Sequence, residues 1–150
     1  MGIWILTANR GGACLYEQQV SGAKLETLVE IDHPDGRLRD RDLNSDRFGR
    51  AFDSSGPGRR AMATSERPTE RVAADFARSL TEDLGHARAS GSFDELILIA
   101  EPTMLGLLRT HMDDATAKCV THTLAKEFRA DETDKLHGAL KEHEFLTLPD

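Results

Sequence analysis

Arg37, Arg39 and Arg41 stand at alternate positions, and Arg47, Arg50, Arg59 and Arg60 follow soon after. Nine of the chain's 14 arginines fall between residues 33 and 71, and none of its five lysines does. A guanidinium offers a planar fork of N–H donors that fits phosphate or carboxylate bidentately and stacks on a base, whereas an ammonium is a point charge. In an extended segment the alternating trio projects to one side. Gly49, Gly56 and Gly58 punctuate the later arginines and would let backbone approach a ligand closely. Such a set serves contact with a phosphate backbone or with RNA. The candidate nucleic-acid-binding residues are therefore Arg37, Arg39, Arg41, Arg47, Arg50, Gly56, Gly58, Arg59 and Arg60. A competing expectation is internal pairing, because Asp35, Asp40, Asp42, Asp46 and Asp53 are interleaved with them.

Other chemistry finds less support. Asp40, Asp42, Asn44 and Asp46 open like a calcium loop, but the sixth position is Ser45 where glycine is needed and the twelfth is Ala51 where a bidentate Glu belongs. No GxxxxGK[ST], GxGxxG or GxSxG occurs. The histidines at 33, 86, 111, 122, 137 and 143 lack HExxH spacing, and two cysteines at 14 and 119 form no CxxC pair. No metal, no cofactor and no catalytic residue is expected. His33 is the histidine to watch, since it opens the arginine-bearing stretch directly after a strand.

The elements that must carry these residues are legible from periodicity. Apolar or alternating runs predict strands over residues 3–8, 13–17 and 25–32, joined by Gly-containing turns. Val72, Phe76, Ala77, Leu80, Leu84 and Ala87 recur at steps of three and four, which predicts a helix from about 72 to 90 with Pro68 in its first turn and Gly91 after its end. The continuous run at 96–100 reads as a buried strand. Pro102 opens a short helix that turns Met104, Leu105, Leu107, Leu108 and Met112 inward. A fifth strand is expected over 119–124 and a last helix over 131–144, followed by a loose tail at 145–150. Between the third strand and the long helix lie residues 33–66, with four Gly, two Pro and no Val or Ile. Loops beyond ~12–15 residues are uncommon in compact domains and usually functional or disordered.

Strands followed by helix–strand–helix–strand–helix indicate one α/β domain spanning 1–150, with a mixed sheet. Length agrees, since 150 residues suit one domain. At 39% hydrophobic and 30% charged residues, the chain resembles neither a disulfide scaffold nor a disordered one. Net charge is −7, so the arginine-bearing stretch is a basic segment on an acidic protein. MGIWIL lacks the basic start and apolar length of a signal peptide, and no run reaches the ~18 residues of a membrane span. A cytoplasmic protein with two reduced thiols and no membrane partner is expected.

Three stretches carry a resemblance: WILTANRGGACLYE, then HPDGRLRDRDLNSDRFGRAFDSSGPGRRAM, then FDELILIAEPTMLGLLR. With its His-Pro-x-Gly-Arg-x-x-Asp, Ser-Asp-Arg-x-Gly-Arg and Phe-Asp-Ser blocks, the chain resembles the bacterial host attachment family from Trp4 to about Leu140. More distantly it is similar to the middle domain of archaeal and eukaryotic class-1 release factors and of Pelota. The resemblance implies a three-layer, ribonuclease-H-like fold with about five strands and a long Arg/Gly loop before a long helix. In release factors that loop carries Gly-Gly-Gln. Here the region reads Ser54-Ser55-Gly56-Pro57-Gly58-Arg59-Arg60, and no Gln occurs from 33 to 71. The expectation is therefore a non-enzymatic factor that binds RNA or a ribosome. The rivals are a regulatory module whose arginines meet an acidic protein partner, and a hydrolase acting on RNA or a phosphoester.

Overall fold

A computed structural model of the chain describes residues 2–37 and 67–149. Three strands come first: β1 (Gly2–Asn9), β2 (Gly12–Gln18) and β3 (Glu26–Asp32), followed by a 3-10 turn at Pro34–Arg37. After residue 67 come α1 (Pro68–Ala89), β4 (Phe93–Ala100), α2 (Pro102–His111), α3 (Asp114–Ala117), β5 (Val120–Ala125) and α4 (Thr133–Glu142). The strands form one mixed sheet in the order β3-β2-β1-β4-β5. β2 runs antiparallel to β1 and to β3, while β1, β4 and β5 are parallel. This is the single α/β domain expected from the sequence.

β1 and β4 read as near-continuous apolar runs because both of their faces are covered. Leu6, Ala8, Leu96, Leu98 and Ala100 point to the layer of α1 and α2, and Ile5, Ile97 and Ile99 point to α4. α1 buries Ala73, Phe76, Ala77, Leu80 and Leu84, and each large side chain contributes roughly 1.5–3 kcal/mol through burial. Val72, expected on this seam, is only half-buried, and Ala73 takes its place. The helix ends as the sequence indicates. Gly91 adopts φ 75°, its N–H reaches Arg88 O at 3.0 Å, and Ser92 N–H reaches Ala87 O at 2.9 Å. That pair of bonds caps the last turn, and the positive φ is why glycine stands there.

Two local expectations need correction. α3 has no apolar period to announce it; Asp113 nucleates it by accepting a hydrogen bond from Thr116 N–H at 2.6 Å. The tail is not loose through residue 149. Thr147 O accepts from Gln18 Nε2 at 2.7 Å and from Gly22 N–H at 3.1 Å, Phe145 stacks on His122, and Leu148 is buried. The physical reason is the thin α4 layer. One ten-residue helix cannot cover its side of a five-stranded sheet, so the tail fills the remainder.

Candidate functional site

The β1–β2 turn and the turn after β3 are stitched together. Asn9 Oδ1 accepts from Gly11 N–H at 2.7 Å, and Gly11 O accepts from His33 N–H at 2.9 Å. His33 Nδ1 lies 2.8 Å from Arg10 O, and since a carbonyl only accepts, Nδ1 carries the proton and donates. The His33 ring stacks on Phe76, with centroids 4.0 Å apart and planes at 4°. His33 O accepts from Gly36 N–H at 3.0 Å, and Gly36 sits so close to the Arg10 carbonyl that any Cβ would overlap it. His33 and Gly36 of the His-Pro-x-Gly block are thus structural. They fix where the arginine-bearing stretch leaves the sheet.

Beside this anchor lies a cleft of about 670 Å³ at the carboxyl ends of β1 and β4. Connections from β1 lead to β2 on one side and those from β4 to β5 on the other, the kind of crevice where open α/β sheets hold ligands. Thr7, Cys14 and Glu30 line its sheet side, and Phe128 and Arg129 of the β5–α4 connection line its outer wall. Its electrostatics lean acidic: Glu30, Asp32, Glu101 and Glu127 face Arg10 and Arg129. Glu101 is committed to capping α2, accepting from Met104 N–H at 2.8 Å and Thr103 N–H at 3.3 Å. Burial pushes the Cys14 thiol up, more than its hydrogen bond to Tyr16 lowers it. Burial and the hydrogen bond with Cys14 also lift the Tyr16 phenol above its ordinary range. Both groups stay protonated at neutral pH; Tyr16 is buried beside the cleft, and Cys14 presents the cleft with a neutral thiol and no thiolate.

Arg39, Arg41, Arg47, Arg50, Gly56, Gly58, Arg59 and Arg60 lie outside the described residues. Arg37 closes the 3-10 turn with its backbone, and its side chain is likewise outside them. The turn packs against α1, so the segment that carries these residues has a defined point of departure. Sequence reasoning did not single out Arg10, Thr7, Asn9 or Arg129. The signal for the first three was the turn Arg10-Gly11-Gly12 at the end of an apolar strand; nothing local marks Arg129. Among the described residues no group of His, Cys, Asp and Glu could hold a metal ion, and no helix is long and apolar enough to cross a membrane. Cys14 and Cys119 are both free thiols.

The fold has relatives among solved structures. An archaeal translation termination factor aligns with 96% of this chain at 14% identity and a TM-score of 0.50, and the alignment spans 40% of that chain. A second, described only as an archaeal protein, aligns with 96% at 13% identity and a TM-score of 0.46, over 39% of its length. The chain therefore spans about two fifths of each, and at such identities the likeness to the termination factor is one of fold. No curated protein sequence matches. Residues 4–140 match the family described as "Protein required for attachment to host cells", and the chain belongs to that family.

Proposed function

We propose that this member of the host attachment family is a non-catalytic, cytoplasmic factor that binds RNA, free or on a ribosome, through the arginines of residues 37–60. One observation carries the reading: the segment holding them starts from a rigid anchor, built by His33, Gly36, Arg10 and Phe76, at the rim of the carboxyl-end cleft. A binding element is precise only when its base is held. The rest of the domain is acidic, so a polyanion would be drawn to this segment and repelled elsewhere. Binding without turnover fits a cleft wall whose Cys14 thiol stays neutral and an arginine-bearing stretch that lacks Gln. A role in attachment would then be indirect, through what the bound RNA encodes or through translation.

A pull-down from bacterial lysate, run with and without nuclease, tests this. Ribosomal or transfer RNA should be recovered, and nuclease should remove any co-recovered proteins held through free RNA. Recovery of a nuclease-resistant protein partner without RNA would replace this reading with the one in which the arginines meet carboxylates. Turnover of the recovered RNA would make the protein a hydrolase.

A further inference from the structure

The carboxyl-end cleft is the wrong place for a phosphate. Glu30, Asp32 and Glu127 outnumber Arg10 and Arg129 in its lining, and Glu101 is committed to the α2 cap. A polyanion held by the neighbouring arginine-bearing segment therefore keeps its backbone at the rim, and the part that enters the cleft is uncharged. In RNA that part is a base, and single strands are read through bases splayed out of the stack.

The cleft has room for one. Its volume of about 670 Å³ lies within the range of about 300–1,000 Å³ usual for small-ligand sites. Its floor is a cross-strand row on the α4 side of the sheet. Thr7 of β1 lies opposite Cys14 of β2, and Cys14 lies opposite Glu30 of β3. Thr7 and Cys14 are buried and neutral, so the floor is uncharged up to Glu30 at its outer end. Arg129 stands on the facing wall, tied only loosely to Asp131 and Glu132 at 4.0 and 3.8 Å. Its guanidinium plane is of the kind on which a base stacks.

Glu30 decides which base. Among the described residues no side chain pairs with its carboxylate, whose charge is felt by the Cys14 thiol. A carboxylate accepts two parallel N–H donors, as it does from arginine. Of the four RNA bases guanine alone presents such a pair, N1–H and the 2-amino group, on its Watson–Crick edge. Adenine and cytosine set one amino donor beside an acceptor nitrogen, and uracil sets one N–H between two carbonyls. We propose that the cleft takes an unpaired guanine of single-stranded RNA, with its base edge on Glu30 and its phosphate at the rim beside Arg10. The inference rests on the RNA reading for the source of the base, whereas the chemistry that selects guanine does not.

Two titrations of the full-length protein test this. In the first, the uncharged nucleosides guanosine, inosine and adenosine are added to ¹⁵N-labelled protein. Guanosine should shift the amides of residues 7, 14, 30 and 127–130. Inosine, which lacks only the 2-amino group, should bind about tenfold more weakly. In the second, oligouridine nonamers with uracil, guanine or adenine at the centre are compared by fluorescence anisotropy, and the guanine form should bind about tenfold more tightly than the other two. Glu30→Gln keeps the shape but offers one acceptor where the carboxylate offers two, and it should erase both preferences. Glu30 is exposed, so the variant should melt like wild type. Equal binding of inosine and guanosine, shifts centred away from the cleft, no shifts at all, or a preference that survives in the variant would overturn the inference. Oligouridine binding with no advantage from guanine would also overturn it, while leaving the RNA reading intact. Guanosine binding without binding of any oligonucleotide would uphold the guanine site and overturn RNA as its source.

Discussion

The imidazole of His33 lies flat on the ring of Phe76, 4.0 Å away and 4° from parallel, and this contact ties the end of the first sheet segment to the first long helix. Phe76 is at the same time a core residue, 6% exposed, among Leu80, Ala73 and the sheet. Phe76→Ala should therefore cost about 3–5 kcal/mol in denaturant unfolding. A double-mutant cycle between His33→Ala and Phe76→Leu should show a coupling of about 0.5–1.5 kcal/mol. Additive effects would mean that the stack contributes nothing beyond burial.

Gly36 is the second fixed point of the anchor. A methyl group there would run into the Arg10 carbonyl, which already accepts from His33. Gly36→Ala should lower stability by about 1–3 kcal/mol, near the upper end of ordinary substitutions. The change should register in thermal melting, and amide shifts should concentrate at residues 9–12 and 33–37. An unchanged melting temperature would show that the turn is not tightly seated.

The two thiols should part company under a thiol reagent. Cys14 is 4% exposed and kept protonated by burial, whereas Cys119 is half-buried at the start of β5 with only a weak contact from Sγ to Ala115 O at 3.7 Å. One equivalent should react in the native protein, mapping to Cys119 by mass spectrometry, and the second only on unfolding. Fast labelling of Cys14 would reveal an opening of the cleft.

Much of this architecture is legible in the sequence because its signals are local. Continuous apolar runs mark β1 and β4, period 3.6 marks α1, and Gly91 and Pro68 mark the ends of α1. What escapes depends on partners far along the chain. The tail's EFLTL looks loose until Gln18, in β2, is seen to bond Thr147. His33 stands out in the sequence only as the histidine that opens the arginine-bearing stretch, and its anchoring role is seen once Phe76 is beneath it. The alternation over 25–32 announces a strand but cannot tell that six of the seven residues of β3 are exposed, since that depends on partners far along the chain. The arginine-bearing candidates are legible as a set by residue type, and the cleft beside their anchor is not, because four separate connections assemble it.

Acid should act on α3 through one carboxyl. Hydrogen bonds from Thr116, chiefly its backbone N–H, hold the Asp113 carboxyl below its ordinary value of 3.8. Asp113 thus binds its proton more readily unfolded than folded. Its stabilising effect is fully present above that ordinary value and lost as pH falls through the lower folded one. Asparagine caps as well and does not titrate there. Asp113→Asn should leave stability at neutral pH nearly unchanged and make its decline shallower between about pH 2 and 5. Parallel curves for variant and wild type would assign acid sensitivity to other carboxylates.

Replacing Arg37, Arg39 and Arg41 by alanine separates the two roles open to these side chains. If they contact phosphates, each contact releases counterions, and log affinity for single-stranded RNA falls with log salt at about −0.7 per contact. The triple variant should bind many RNA sequences more weakly by a similar factor, with a shallower salt slope, because phosphate contacts carry no sequence information. Its melting temperature should barely move, since exposed ion pairs with the neighbouring aspartates would contribute only ~0–1 kcal/mol. If instead the arginines are paired internally, RNA binding should be indifferent to the substitutions, and stability should fall most at low salt, where pairing is least screened. A wild-type protein that binds neither RNA nor ribosomes at low ionic strength would remove the phosphate role altogether, leaving carboxylates on a partner as what the arginines meet.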